Sequence, residues 1–206
     1  MARLAETRPP AAPGSERQAA RRERILAAAA ALGAEIPYDR VQMQDVARAA
    51  DVALGTLYRY FPSKTHLFAA LFDARVAGFI ADAWPVADAD PAGAVADRLS
   101  ALVHVLLEQP VLCVAMVQST AVHHATRPEG DFQAAAEMIC EAILDNLGCD
   151  EPLAEDRAAV RLLTYAWWGV LVSALHGKTS TPDAAVEIRL ATERLLTGYP
   201  APRPSR

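Results

Sequence analysis

A short stretch in the first third of the chain carries the side chains best suited to binding phosphate groups. It combines one glycine with a threonine, two tyrosines, an arginine and a lysine, in the order Gly55, Thr56, Leu57, Tyr58, Arg59, Tyr60, Phe61, Pro62, Ser63 and Lys64. Hydroxyl, guanidinium and ammonium groups donate hydrogen bonds to phosphate oxygens, and a glycine near a helix start lets the backbone approach a ligand closely. The sequence holds no nucleophile–base pair at recognisable spacing, no phosphate loop and no two-histidine metal helix. The stretch therefore predicts binding rather than turnover.

The cysteines do not form a metal or redox motif. Cys113, Cys140 and Cys149 are an odd number without the spacing of metal ligands. We expect three reduced thiols in a cytoplasmic protein that carries no metal and no cofactor. Coordination by cysteine together with His123 and His124 stays open at this point.

Charge is distributed unevenly along the 206 residues. Residues 1–75 carry 11 basic and 8 acidic side chains, whereas residues 76–206 carry 9 basic and 17 acidic ones. A basic N-terminal part can approach phosphate, and an acidic remainder avoids it. This asymmetry predicts two parts with different tasks within a protein whose net charge is -5.

The spacing of apolar residues predicts a small three-helix unit at residues 16–62. We expect helices over 16–35, 43–50 and 54–60. The second and third are too short to be stable alone, so they must pack across each other on the first, which is the geometry of a helix-turn-helix. Arginines at positions 17, 21 and 22 are either DNA contacts or a solvated face. The fifteen residues before this unit contain Pro9, Pro10, Pro13 and Gly14 and are expected to be a disordered tail.

The rest of the chain also has helical periodicity. Ser63 is a suitable N-cap for a helix over 64–83, and Asp90 with Pro91 predicts the start of the next. Further helices are expected over 91–108, 111–121, 132–147, 152–176 and 183–197, with a polar irregular stretch over 119–131. The fold class is therefore all-α, with about nine helices: a helix-turn-helix domain over 16–62, a helical ligand-binding and dimerisation domain over 63–198, and a tail over 199–206.

Residues 41–64 resemble the DNA-binding signature of TetR-family transcriptional regulators, of which the Gly-Thr-Leu-Tyr-x-Tyr-Phe-x-Ser-Lys core is complete here. The resemblance implies that Tyr58 and Tyr60 direct their hydroxyls at phosphates on either side of the major groove. Lys64 is expected to bind a phosphate at the start of the following helix. The DNA-contacting residues implied are Gln44, Arg48, Leu54, Gly55, Thr56, Tyr58, Arg59, Tyr60 and Lys64.

Two positions depart from the usual family pattern. Gln42 stands where Ser or Thr is common before the second helix, and Ala53 replaces a frequent Ser before the recognition helix. Both changes remove a side-chain cap. Ala53 and Leu54 also offer no hydrogen bond to a base, so the base-specific contacts remain unassigned.

A single helix-turn-helix reads too few base pairs for genomic specificity, so a second copy is expected. Ala159, Leu162, Ala166, Gly169 and Ser173 form a small-residue stripe on the helix over 152–176. Ala185, Ile188, Thr192 and Leu195 form a stripe on the last helix. These two helices are predicted to form the homodimer interface as an intersubunit four-helix bundle. The longest apolar run, residues 162–175, is shorter than the roughly 20 residues of a bilayer span, so no membrane partner is expected.

The apolar residues of the middle helices are candidates for an effector cavity, and they carry few charges, which favours a hydrophobic small-molecule effector. The candidates are Phe79, Leu102, Leu106, Met116, Phe132, Met138, Trp167 and Trp168. Gln109-Pro110-Val111-Leu112, Ala115-Met116 and Val41-Gln42-Met43 are similar to the actinobacterial steroid-catabolism repressors of the KstR type, which implies a steroid-like or acyl-CoA effector.

The function predicted is a homodimeric repressor that binds a palindromic double-stranded DNA operator and is released by its effector. Release follows when the ligand prefers an arrangement of the two heads that does not fit DNA. Activation by the ligand is the mirror case. Two rival functions are a ligand-independent DNA-binding protein and a helical enzyme, and a C-terminal core without voids favours the DNA-binding protein.

Overall fold

A computed structural model describes residues 16–84, 90–125 and 134–196. Within these ranges the chain forms nine α-helices and one short 3-10 turn, and no strand. The helices are α1 (Glu16–Glu35), α2 (Met43–Ala49), α3 (Leu54–Tyr60), α4 (Lys64–Ala83), α5 (Pro91–Leu107), α6 (Pro110–Ala125), α7 (Ala134–Asn146), α8 (Ala154–Leu175) and α9 (Thr181–Leu195). The all-α prediction is confirmed. The predicted tails and Phe132 lie outside the described residues.

Helices α1 to α3 form the head of the molecule around a small shared core. Ile25 of α1, Val46 of α2 and Leu57 of α3 are completely buried there. The turn between α2 and α3 is tight because Asp51 adopts a left-handed backbone conformation with φ of 52°, which Asp tolerates better than most residues. The Val52 amide then donates to the Ala47 carbonyl at 3.0 Å. This turn sets the angle at which α3 leaves α2.

Helix α4 connects the head to the rest of the protein. The Ser63 side chain caps its first turn by accepting a hydrogen bond from the His66 amide at 3.1 Å, as the sequence predicts. Twenty residues of α-helix span about 30 Å. At the far end, the Trp84 indole donates to the Ala142 carbonyl of α7 at 2.8 Å. The helix is thus fastened at both ends.

The C-terminal body packs α4 against α6 and α7, and α9 against α5 and α8. Asp90 caps α5 through the Gly93 amide at 3.0 Å, and Pro91 occupies its first turn. Helices α5 and α6 bend by 110° at their junction. The buried Trp167 indole donates to the Leu99 carbonyl at 3.0 Å, which ties α8 to α5 at the centre of the core.

Helix α6 is longer than predicted, and the irregular stretch expected from residue 119 was wrong over residues 119–125. Ser119 and Thr120 are buried and continue the inward-facing stripe of Leu112 and Met116. Their polarity concealed the helical period of that stripe. His123 and His124 therefore lie in the last turn of a helix. A 3-10 turn at Tyr38–Arg40, also unpredicted, follows α1.

Candidate nucleic-acid interface and ligand cavity

The recognition helix α3 buries one face and leaves the other open. Leu57 and Phe61 belong to the core of the head, so their side chains pack and are not available to a ligand. Tyr58 is 45% exposed, Leu54, Gly55 and Arg59 are exposed, and Thr56 is half-buried. A Cβ placed on Gly55 would meet nothing within 4 Å. The surface of α3 at Gly55 is therefore open, and another molecule can approach the helix backbone closely there.

Helix α2 adds two exposed polar side chains to this open face. Gln44 is exposed, and the side chain of Arg48 is 74% exposed. The Arg48 guanidinium lies 3.3 Å from the Asp45 carboxylate, a surface pair of small energy. No side chain caps α2 at Gln42 or α3 at Ala53, as expected from the two departures in the sequence. Because its pair with Asp45 is exposed, Arg48 is held only weakly by its own chain.

Tyr60 does not share the open position of Tyr58. Its side chain is only 7% exposed, and its ring packs against Phe61 with centroids 6.4 Å apart. The Arg59 guanidinium covers the Tyr60 ring at 5.9 Å. The two tyrosines are about 200° apart around α3, so one must face the core when the other faces outward. The ring of Tyr60 therefore packs within the head, and the predicted phosphate contact of its hydroxyl stays a prediction.

The Lys64 ammonium is hydrogen-bonded within the chain. It donates to the carbonyl oxygens of Tyr38 at 2.7 Å, Val41 at 3.1 Å and Asp39 at 3.4 Å, and it lies 4.3 Å from the centroid of the Tyr38 ring. An ammonium group has three donors. All three have acceptors within the chain, so Lys64 fastens α4 to the turn after α1, and its predicted phosphate contact stays a prediction.

The sequence allows Arg22 either a DNA contact or a solvated face, and the structure gives it a packing partner. Its guanidinium lies 5.6 Å from the centroid of the Phe61 ring, a cation–π distance. The arginine thus ties α1 to the end of α3. The aromatic residue at position 61, immediately after the recognition helix, was the available signal for this contact.

A cavity of about 170 Å³ opens in the body between α4, α6, α7 and α8. Its lining is mostly apolar, with a histidine and two hydroxyl groups; the residues are Phe72, His124, Ala135, Ala136, Ile139, Thr164, Tyr165, Trp167 and Trp168. The rings of Phe72 and Trp168 meet edge to face at 5.5 Å. His124 and Tyr165 are exposed, so they lie at the mouth. The cavity suits an apolar group that carries a hydrogen-bonding atom near its entrance.

Only part of the predicted ligand set lines this cavity. Trp167 and Trp168 do, whereas Leu102, Leu106 and Met116 are packed in the core. Phe79 is half-buried against the core and does not belong to this lining, and Met138 lines a separate groove with Ile80 and Trp84. Helical spacing identifies inward-facing residues, but it does not distinguish a filled core from the wall of a void. The small side chains of Ala135 and Ala136 create the space of the cavity, and nothing in the sequence indicated that they would line it.

The three thiols form no disulfide in the described residues, and Cys113 is completely buried. Burial raises the pKa of Cys113 to about 11. Burial also raises the pKa of Cys140, whose sulfur lies 3.4 Å from the Thr164 hydroxyl. Within the described ranges no three His, Cys, Asp or Glu side chains are grouped so as to hold a metal. Thiols with raised pKa values are poor nucleophiles.

Helices α8 and α9 leave an apolar face uncovered. Leu162 and Tyr165 of α8 and Val186 and Leu190 of α9 are all at least half exposed, and a Cβ on Gly169 would meet nothing within 4 Å. Helix α8 is long and apolar enough to cross a membrane, with a mean hydropathy of 1.4, yet only 28% of that window is buried in the protomer.

The predicted stripe of α9 requires a correction. Ile188 and Thr192 are buried against the chain's own α5 and α8, so they are not available to a partner. Val186 and Leu190, on the opposite side of the helix, are the exposed apolar residues. Two stripes of similar polarity run along α9, and only packing decides which of them faces inward.

A three-helix head with an open recognition helix, joined by a long connector to a helical body with an apolar cavity, defines a helix-turn-helix regulator rather than an enzyme. Comparison of the sequence with protein families agrees. The family "Bacterial regulatory proteins, tetR family" matches residues 25–71, and "Tetracyclin repressor-like, C-terminal domain" matches residues 88–195. The chain belongs to the TetR family of transcriptional regulators.

Known proteins similar to this chain include repressors of actinobacteria. The HTH-type transcriptional repressor KstR of Mycobacterium tuberculosis is 32% identical over 90% of this chain and 84% of its own length. KstR of Rhodococcus jostii is 33% identical over 88% and 85%. The predicted KstR-like type is thereby confirmed.

Solved structures show the same fold. A TetR transcriptional regulator from Rhodococcus sp. RHA1 superposes with a TM-score of 0.77 at 42% identity, covering 89% of this chain and 98% of that one. FadR of Thermus thermophilus, a TetR-family repressor solved with lauroyl-CoA, superposes with a TM-score of 0.56 at 22% identity, covering 90% and 98%. The second likeness concerns the fold alone.

Proposed function

We propose that this protein is a homodimeric transcriptional repressor that binds a palindromic operator and is released by a hydrophobic effector. The observation that carries the proposal is the open face of α3, where Gly55, Thr56 and Tyr58 are accessible on a head whose other side is packed. The KstR relatives, which are named repressors, support repression rather than activation. A protein that acts on bacterial DNA works in the cytoplasm, and we place it there.

In this proposal the open face of α3 enters the major groove. Gly55 allows the backbone to approach the duplex, and Thr56 contacts a phosphate or a thymine methyl group. The Tyr58 hydroxyl and the guanidinium groups of Arg48 and Arg59 bind phosphates, while Gln44 and Leu54 lie at the edge of the contact. Phosphate contacts position the head and make affinity fall with salt.

We assign the uncovered face of α8 and α9 to a second copy of the chain. Regulators of this kind need two heads on one duplex, and the exposed Leu162, Val186 and Leu190 are too apolar for a solvated surface. Glu187, Arg189 and Glu193 are exposed beside them on α9, and charges at that density oppose insertion into a bilayer. A two-fold pairing of α8 and α9 makes the predicted four-helix bundle.

The effector is assigned to the cavity lined by Trp167 and Trp168, whose apolar walls select a hydrophobic molecule. A void in this position also favours ligand response over a ligand-independent DNA-binding protein, for which we expect a filled core. The cavity of about 170 Å³ is smaller than the roughly 300–1,000 Å³ of typical small-molecule sites. A steroid-like or acyl-CoA effector must therefore widen it on binding.

Selection of bound duplexes from random DNA, repeated with lipophilic ligands present, tests the proposal. We expect recovery of a palindrome whose half-sites are one helical turn or a multiple apart, and loss of recovery with an effector. A Gly55→Trp variant blocks the open face without touching the body, and serves as the negative control. Recovery of no sequence, or of the same sequences with Gly55→Trp, contradicts DNA binding through α3.

A further inference from the structure

The mouth of the cavity and the uncovered face of α8 and α9 share one residue. Tyr165 of α8 belongs to the cavity lining, and its side chain is 52% exposed. Leu162, three residues before it, is also more than half exposed, and a Cβ on Gly169, four residues after it, would meet nothing within 4 Å. Residues three and four apart are neighbours on a helix surface. The apolar face of α8 therefore reaches the mouth of the cavity.

Tyr165 marks the border between the cavity wall and this face. Three residues of an α-helix turn through about 300°, or about 60° short of a full turn. Trp168, which lines the cavity, therefore lies about 60° to one side of Tyr165, and Leu162 lies about 60° to the other side. Trp168 is half-buried, whereas Leu162 is exposed. The Tyr165 side chain thus stands between the lined cavity and the exposed face.

In the part of the chain that the structure describes, the cavity is open at this border. Tyr165 and His124 are both exposed at its mouth, so an occupant of the cavity keeps contact with solvent there. Small-molecule sites in proteins bury roughly 70–90% of the ligand surface. An apolar effector in a cavity with an open mouth binds less tightly in proportion to the apolar area that stays in water. A cover over Tyr165 completes the site.

A second copy of the chain is the cover that the geometry of α8 favours. Leu162 and Gly169 lie about 10 Å apart along the helix, with Tyr165 between them. A helix with its side chains is also about 10 Å across, so a partner helix that packs on both positions covers Tyr165 as well. Tyrosine suits such a place, because its ring is apolar and its hydroxyl can stay hydrated at the rim of an interface. The pairing proposed for α8 and α9 therefore brings the partner to the mouth of the cavity.

We propose that the partner subunit forms the outer wall of the cavity at Tyr165, so that each effector site is built from two copies of the chain. The occupant is a hydrophobic small molecule, and the inference rests on the dimer and the effector of the proposed function. A ligand that touches both protomers binds the dimer more tightly than the monomer. By linkage, the same ligand strengthens the pairing of the chains by the same factor.

Two measurements without DNA test the shared site, and both compare the dimer with a monomer. Leu190→Asp, which places a charge in the proposed interface, supplies the monomer. Leu153→Asp is the matched control, because Leu153 is also more than half exposed but is not assigned to the interface. If Leu190→Asp does not fold, dilution of the native protein below the dissociation constant of the dimer supplies the monomer instead.

The first measurement is hydroxyl-radical footprinting, which reports the solvent exposure of tyrosine side chains through mass spectrometry. Tyr58 of α3 is the internal reference, because its exposure in the protomer is similar to that of Tyr165. We expect oxidation of Tyr165 to be about tenfold slower in the dimer than in the monomer, since only the dissociated fraction reacts. Tyr58 is expected to react at the same rate in both. Equal rates for Tyr165 in the dimer and the monomer overturn the proposal.

The second measurement is the affinity for phenylnaphthylamine, an uncharged and apolar fluorescent probe. The native dimer and Leu153→Asp are expected to bind it equally, and Leu190→Asp about tenfold more weakly, within the range of couplings between sites. Ala136→Phe places a ring in the cavity lining, and loss of the fluorescence signal in this variant shows that the probe occupies the cavity. Sedimentation at saturating probe is expected to show a dimer that is tighter by the same factor.

The results also distinguish the shared site from the proposed function. Equal probe affinity in the dimer and the monomer means that one protomer forms the whole site, which overturns the partner wall and leaves the repressor standing. If the probe does not bind, or still binds Ala136→Phe, the footprint of Tyr165 decides alone. A dimer that selects no duplex from random DNA overturns the repressor but not the shared site. A native protein that never pairs overturns both.

Discussion

The Lys64 ammonium lies 2.7 Å from the carbonyl oxygen of Tyr38. This bond joins the first residue of α4 to the 3-10 turn between α1 and α2. The Tyr38 ring also packs edge to face against Phe68 of α4 at 5.5 Å. The lysine of the family motif therefore fastens the head to the connecting helix α4.

Replacing Lys64 separates a structural role from a phosphate contact. Lys64→Met keeps the aliphatic stem but leaves carbonyl oxygens half-buried without a donor, which costs about 1–3 kcal/mol of unfolding free energy. We expect an unchanged slope of log affinity against log salt. Arg48→Met is the comparison, because it removes one phosphate contact from each protomer of the dimer, and each lost contact lowers the magnitude of that slope by about 0.9. A reduced slope for Lys64→Met, measured in the same titration, supports the phosphate contact of Lys64.

Removal of the hydroxyl is expected to affect operator binding at only one of the two tyrosines of α3. Tyr58→Phe removes a hydroxyl from an exposed side chain and should weaken operator binding about tenfold or more at constant stability, since a hydrogen bond to a charged group contributes about 1.5–3 kcal/mol. Tyr60→Phe keeps the buried ring and should leave affinity nearly unchanged. Gel-shift titrations with both variants measure these affinities. Equal losses would mean that the Tyr60 hydroxyl also contacts the operator.

A charge on the uncovered face of α8 and α9 should dissociate the dimer. Leu190→Asp places a carboxylate in the proposed interface, where an unpaired buried charge costs several kcal/mol, and sedimentation should report a monomer. The control is Leu153→Asp, because Leu153 is also more than half exposed but precedes the first residue of α8 and is not assigned to the interface. A dimer that persists in Leu190→Asp, or is lost in Leu153→Asp, places the interface elsewhere.

Burial of Cys113 makes stability depend on alkaline pH. The folded-state pKa is about 11, raised from 9.0 by burial, so above pH 9 the unfolded chain releases this proton and the folded chain keeps it. The free energy of unfolding should therefore fall between pH 9 and 11 by up to about 1.4 kcal/mol per pH unit. Urea unfolding of the native protein and of Cys113→Ala should show a shallower fall in the variant. Equal slopes contradict the assignment.

Much of the fold follows from local rules in the sequence. Ser63 and Asp90 with Pro91 start helices where capping chemistry predicts, and α1, α3 and α4 have the predicted bounds. Local rules failed at Ser119 and Thr120, where buried hydroxyls continue a helix that their polarity was expected to end. The extent of α6 depends on the apolar surroundings supplied by α4, which are distant in sequence. The division into a head over 16–62 and a body over 63–198 stays a prediction.

The candidate site, like the fold, was predicted only in part from the sequence. The motif around Gly55, Thr56 and Tyr58 indicated the DNA-binding face, and those residues are accessible in the structure. The periodicity of α5 to α8 indicated which residues point inward, yet Leu102, Leu106 and Met116 of the predicted ligand set fill the core. Whether a void remains between helices depends on their separation, which Ala135 and Ala136 influence and which no single helix encodes.

The sequence by itself determined the helices, the helix-turn-helix and the family, because capping, helical period and a contiguous motif act over a few residues. Only the tertiary structure decided that Lys64 bonds to the chain's own carbonyls and that Tyr60 is buried. It also decided that Asp73 accepts a hydrogen bond from the first turn of α7. The Lys64 and Asp73 bonds join residues 23 to 62 positions apart. They arise from the way distant helices pack, and packing is a property of the whole chain.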